Sequence, residues 1–214
     1  GKDIWAGHAN GISRYSKTEG EWFRYYGTNR PGITQGQALP FAVDIINGIR
    51  FDADFAWFFT GHGNKALYRY DKAHDAWKRY DIPLPECHLM CVADDAVWIG
   101  SVFRNFAARL DKKTEQFTLE SIDRGADTKW VFFSLSHILA TPQDVWFGLR
   151  GAKSVNPSSI FRSKPDSQWA QYFSKDVGNP NISYNNVFQR GGEFLFQGTA
   201  GLLRLDATTE AWSV

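Results

Sequence analysis

KDIWAGHANGISRYSKTEGEWFRY, residues 2 to 25, decides the fold, because its pattern returns along the chain. An apolar or aromatic strand ending in glycine leads to an apolar-x-Arg step, then a polar turn, then a second aromatic. Five copies occur: IWAG with ISRYSKTEGEW, FFTG with LYRYDKAHDAW, VWIG with AARLDKKTEQF, VWFG with IFRSKPDSQW, and LFQG with LLRLDATTEAW. The step from arginine to second aromatic is eight residues at Arg14 to Trp22, Arg69 to Trp77, Arg109 to Phe117 and Arg204 to Trp212, and seven at Arg162 to Trp169. The arginines themselves lie 55, 40, 53 and 42 positions apart, so length varies in loops while the core of each unit is fixed. A period of this size marks one supersecondary element repeated.

Each unit reads as strands. The glycine-ended strand and the arginine strand form a hairpin. The runs SKTEGE, DKAHDA, DKKTEQ and DATTEA are rich in residues whose side chains close tight turns on the backbone. A third strand carries the second aromatic. VDIINGIRF, HLMCVA, FFSLSHILA and SYNNVFQ supply an inner strand ahead of repeats two to five. No window sustains a helical apolar stripe. Four short antiparallel strands per repeat is the signature of a propeller blade, so the expected fold is an all-β propeller of five blade-like repeats, at approximately 1–26, 42–82, 87–120, 131–173 and 182–214 of a single domain or fragment. The first repeat lacks its inner strand, which gives 19 expected strands and the expectation that residues 1–214 are a piece of a longer protein.

Eight of nine tryptophans fall in register: Trp5, Trp57, Trp98 and Trp146 on the second strand, and Trp22, Trp77, Trp169 and Trp212 on the outer one. Flat side chains repeated once per blade fill the wedge between neighbouring sheets, so all eight are expected in the core. The repeat arginines are expected to pack their stems there and pair with turn carboxylates. Trp130 lies outside the register.

Composition sets limits. With 43% hydrophobic and 16% aromatic residues, the 214-residue chain can bury a sizeable core. Lys plus Arg number 24 against 23 Asp plus Glu, a net charge of +1 that gives no electrostatic case for nucleic acid. No run of about 18 apolar residues suggests membrane insertion. Cys87 and Cys91, four apart on one strand, are too distant for a disulfide and read as ordinary inner-strand residues.

The strings VWIG, IWAG, FTGHGNKALYRYDK and LFQGTAGLLRLD resemble the blade repeats of two-component-regulator propellers. WFFTGHGNKALYRY and DIPLP are also similar to virginiamycin B lyase repeats. The first resemblance implies an extracytoplasmic, periplasmic or extracellular, sensing or binding module within a longer chain. The second implies a magnesium-dependent lyase with a histidine base and acidic metal ligands near the axis. Where that lyase motif carries a glutamate, this chain has Gly7, Gly61, Gly100, Gly148 and Gly198. Glu86 as a metal ligand, with His88 and His137 as bases, is the acid and imidazole set left for that chemistry.

Binding is the preferred expectation, with no cofactor. Loops joining the second and third strands share one end of each blade with the blade-to-blade crossings. That end is expected to hold His8, Asn10, His62, Asn64, Lys65, Arg104, Asn105 and Arg150, joined by Asn29, Arg30, Lys129, Trp130, Lys153, Asn156 and Asn181. A polar, amide- and arginine-rich lining with one aromatic suits a small molecule, a glycan, a peptide or another domain of the same chain. A structural protein-interaction disc is the remaining alternative.

Overall fold

A computed structural model describes residues 3–9, 11–29, 36–61, 63, 65–101, 106–121, 133–141, 144–151, 159–163, 169–173, 184–198, 201–206 and 208–213. Among them the regular elements are strands, and none is a helix. The chain divides between Val92 and Ala93 into two compact units.

The first unit begins with β1 (Asp3–His8), β2 (Gly11–Ser16), β3 (Glu21–Tyr26) and β4 (Gln37–Ala38), which form a sheet in that order. A second sheet follows from β5 (Ile46–Phe51), β6 (Phe55–Thr60), β7 (Ala66–Asp71) and β8 (Ala76–Asp81), and β9 (Leu89–Val92) ends the unit. The second unit carries β10 (Ala96–Gly100), β11 (Phe106–Asp111) and β12 (Phe117–Ser121). Two more sheets follow, one of β13 (Phe133–Ala140), β14 (Val145–Gly151), β15 (Ser159–Ser163) and β16 (Trp169–Phe173), the other of β17 (Tyr184–Arg190), β18 (Glu193–Gly198), β19 (Gly201–Asp206) and β20 (Trp212–Ser213). The third repeat runs from β9 to β12, so the division falls in its first turn.

The described strands number 20 rather than the 19 expected, because of β4. In the first sheet no described strand takes the inner place held by β5, β13 and β17 in theirs; instead β4 adds to the outer edge and pairs parallel with β3, Tyr25 opposite Gln37 and Tyr26 opposite Ala38. Gly36, at φ +118°, turns the chain where a Cβ would strike the Arg24 carbonyl. Leu39 N–H then donates to the Tyr26 carbonyl at 2.8 Å, and Leu39 is buried.

Strand register places four of the five repeat arginines opposite a tryptophan of the neighbouring strand: Trp5 faces Arg14, Trp57 faces Arg69, Trp98 faces Arg109 and Trp146 faces Arg162. The guanidinium lies over the indole in all four, 5.8, 5.9, 5.9 and 5.0 Å from its centroid. A flat cation on a flat π face gains attraction without the full desolvation of a buried ammonium. A carboxylate at the start of the strand or just before it joins three of these pairs: Asp3 for Arg14 at 3.1 Å, Asp95 for Arg109 at 2.7 Å and Asp144 for Arg162 at 2.8 Å. The fifth repeat has Leu195 opposite Arg204, and this arginine is 56% exposed, 3.5 Å from Glu193.

The arginines also reach forward. Within the first unit Arg14 donates to the Tyr70 hydroxyl of the next sheet, and Tyr70 donates to Asp75 at 2.7 Å. Within the second, Arg162 donates to Glu210 of the next sheet. Asp75 and Glu210 hold the same turn position, at φ +49° and +55°, and the first repeat places Gly20 there at +73°. The turn is set by an aspartate: Asp71, Asp111 and Asp206 each accept two backbone N–H groups at 2.8–3.2 Å. Those bonds, Thr114 N–H foremost, hold the Asp111 carboxyl down to about 2.

The core sits between successive sheets of a unit. Trp77 of β8 meets Trp5, Tyr25, Phe58 and Tyr70 at 5.0–6.3 Å, and Trp212 of β20 meets Phe196 at 5.4 Å in a cluster with Trp146. Trp57, Trp98 and Trp146 are buried, and Trp5, Trp77 and Trp212 are half-buried against these clusters. Trp22 departs from the expected core position. It is 57% exposed, touching Tyr15 at 5.3 Å. The reason is packing order: the outer tryptophan lies on the sheet preceding it in the chain, and β1 to β4 have none before them among the described residues. The Trp169 side chain lies outside the described residues. Neither Cys87 nor Cys91 is joined in a disulfide.

Candidate functional site

In the first unit the loops and crossings do share one end. The β6–β7 loop bonds to the crossing beyond β8, since Ile82 N–H donates to the Lys65 carbonyl and Cys87 N–H to the Gly61 carbonyl, at 3.2 and 3.3 Å. Asn47, a bulge residue in β5, accepts from Gly61 N–H at 2.6 Å. Asn29 is used internally: its amide donates to the Val43 carbonyl and accepts from Val43 N–H, both at 3.1 Å, like an added strand residue. Nothing in the sequence distinguishes such a clamp from a binding amide. Asn47 was missed because it sits inside an apolar run; the Asn-Gly pair at 47 and 48 is the only signal of a bulge there.

Of the nine expected binding residues, two have described side chains. His8 is exposed, with Nε2 3.2 Å from the Ser13 hydroxyl, and its pKa is lowered by partial burial and then by Arg24. Lys65 is half-buried and lends positive field to the Cys87 thiol, which burial nonetheless pushes up to about 12. Asn10, His62, Asn64, Arg104, Asn105 and Trp130 lie outside the described residues, as do Arg30, Lys129, Lys153, Asn156 and Asn181. Arg150 is placed on β14 by its backbone, opposite Ser134.

The acid and imidazole set is spread over both units. Glu86 and His88, in the first, flank buried Cys87; one Glu86 carboxylate oxygen is buried with no hydrogen-bond partner among the described residues. His137, in the second, is 6% exposed, packs 6.4 Å from Phe196, and is pushed by burial down to about 4, so the ring is neutral near pH 7. Its imidazole covers Gly148, where a Cβ would overlap it. Gly7 is covered likewise by Ile46, and Gly61 by the Cys87 carbonyl. These glycines leave no room for the carboxylate that the lyase motif carries there. Among the described residues no three His, Cys, Asp or Glu side chains gather as a metal site.

At the opposite end of the first unit, a groove of about 780 Å³ is lined by Trp5, Arg14, Phe51, Asp52 and Lys72, among others. Asp52 and Lys72 serve the framework there. Asp52 accepts from Asp54 N–H, Phe55 N–H and the Trp57 indole, and Lys72 donates to the Asp52 and Ala53 carbonyls.

A scan against protein families finds no match, and a search of curated proteins finds none either. Solved structures do match. The chain is similar to yeast (Saccharomyces cerevisiae) Sqt1 at 9% identity, over 100% of this chain and 58% of that one, with a TM-score of 0.66. It is similar to YCF48 in a peptide complex at 16% identity, over 94% and 59%, with a TM-score of 0.57. The fold is a β-propeller. A third likeness is to the extracellular domain of a hybrid two component system of B. thetaiotaomicron, at 14% identity over 99% and 34%, with a TM-score of 0.51. At these identities the likeness is one of fold, and the propeller described here spans from 34% to 59% of these three chains.

Proposed function

We propose that this propeller is a ligand-binding or sensing module that takes a small molecule, glycan, peptide or partner domain at its loop end, in a periplasmic or extracellular setting and without a cofactor. The observation that supports this most is how the polar groups are distributed. At the turn end of the first unit Asp52 and Lys72 are engaged with the framework, and at the loop end, where Asn29 is engaged with the framework and His8 lies within hydrogen-bond distance of Ser13, half-buried Lys65 stands in the loop that meets the crossing beyond β8. His62, Asn64 and Asn10 belong to the same loops by sequence, and Arg104, Asn105, Trp130 and Arg150 to their counterparts in later repeats. Imidazole, amide, ammonium and guanidinium groups offer donors suited to hydroxyl-rich or peptide ligands.

A glycan and peptide array tests the reading. A hit that survives chelator and is lost on Trp130→Ala and on Lys65→Ala supports it. A melting temperature raised by Mg²⁺, with the rise lost on His88→Ala combined with His137→Ala, and no array hit, would contradict it.

A further inference from the structure

Two opposite charges act on one thiol at the loop end of the first unit without meeting each other. Lys65 is the last residue before β7, and Glu86 lies near the end of the crossing from β8 to β9. The crossing lies on the β6–β7 loop through the bonds from Ile82 N–H to the Lys65 carbonyl and from Cys87 N–H to the Gly61 carbonyl. Gly61 permits that approach, since a Cβ there would strike the Cys87 carbonyl and crowd the Asn47 amide. Burial raises the Cys87 pKa most; the Lys65 field then lowers it and the Glu86 field raises it.

Both charged residues are half-buried, and among the described residues neither side chain makes an ion pair or a hydrogen bond. Elsewhere in the unit opposite charges close on each other even near the surface: Arg79 pairs with Asp81, which is 77% exposed, and Arg14 with Asp3. A half-buried charge is costlier to leave alone than an exposed one, because part of its hydration has been stripped away. Asn47 adds a third group. Its Oδ1 accepts from Gly61 N–H at 2.6 Å, so the NH₂ half of this exposed amide points away from Gly61 as a donor. The Gly61–Cys87 contact is thus bordered by an ammonium, an amide donor and a carboxylate. A neutral sugar brings no charge to either ion, and a simple anion or cation serves only one. A molecule that carries both signs serves both.

We infer that this loop end takes a zwitterion, its carboxylate held by Lys65 and the Asn47 amide and its ammonium by Glu86, the chemistry of a free α-amino acid or of the end groups of a short peptide. The inference rests on the binding reading above and narrows its ligand.

Isothermal titration calorimetry of the 214-residue chain with the standard free α-amino acids, and with dialanine and trialanine, tests it up to about 10 mM ligand. At least one of these binds, and for that one N-acetylation or carboxyl amidation weakens binding to the wild type at least about tenfold. Glu86→Gln abolishes the discrimination against the N-acetyl form and keeps that against the amide, and Lys65→Met does the reverse. A purely structural role for either residue would weaken all forms alike. Binding by the amino acids or by the peptides supports the inference in either case and names the source. No binding by any of them, or equal binding of the blocked forms to the wild type, would overturn it. An array hit lost on Lys65→Ala would then leave the broader binding reading standing, whereas a blank array would remove both.

Discussion

His137 and Gly148 form a matched pair in which one residue's absent side chain is the other's site. The imidazole fills the space a Cβ would take, and burial holds its folded pKa at about 4 against 6.5 in the open chain. The unfolded state therefore binds the proton more tightly. Stability is complete above pH 6.5 and falls as pH drops from 6.5 towards 4, by up to about 3 kcal/mol. Urea midpoints at pH 7 and pH 4.5 check this: His137→Phe flattens the dependence relative to wild type. Gly148→Ala forces the ring to move and costs about 1–3 kcal/mol by overpacking, read as a lower urea midpoint at pH 7. The sequence made Gly148 legible as a departure from the lyase motif. What fills its space was not legible, because that depends on which inner-strand residue crosses it.

The hairpin of second and third strands carries the repeat's defining interaction at the scale of elements. Arg162 is sandwiched between the Trp146 ring and two carboxylates, one of them Asp144 at 7% exposure. Removing the cation strands a buried carboxylate, so Arg162→Ala costs about 3 kcal/mol or more. Arg204→Ala, over Leu195 and at the surface, changes stability by less than about 0.5 kcal/mol. Chemical denaturation of both variants measures the contrast, and equal losses would show that the aromatic partner is irrelevant. The spacing from arginine to outer aromatic, eight residues in four repeats and seven in the fourth, made the repeat readable, and strand register matters because a one-residue slip would turn every side chain to the wrong face. The short β4 was unreadable because a two-residue parallel pairing leaves no period, and it follows Asn29 and Arg30 in the stretch between the first two repeats.

The whole molecule extends the same logic from hairpins to stacked sheets. Trp77 and Trp22 occupy one repeat position, yet the first closes a core and the second faces solvent. Trp77→Ala is expected to cost about 3–5 kcal/mol and Trp22→Ala less than about 0.5 kcal/mol in dilute solution, measured by urea unfolding. A sequence pattern reports what a strand is built to pack, and what covers it depends on its neighbour, which is why Trp22 read as core. The candidate site was legible as loop position but not as role: Asn29 closes a crossing, and His8 and Lys65 border the loop end. Ligand mapping decides between the two ends of the blades most directly. Array binding compared across wild type, Lys65→Ala and Phe51→Ala should be lost with the loop-end change and kept with the turn-end one. Binding that survives Lys65→Ala and disappears with Phe51→Ala would place the site in the groove beside Trp5 and contradict the account.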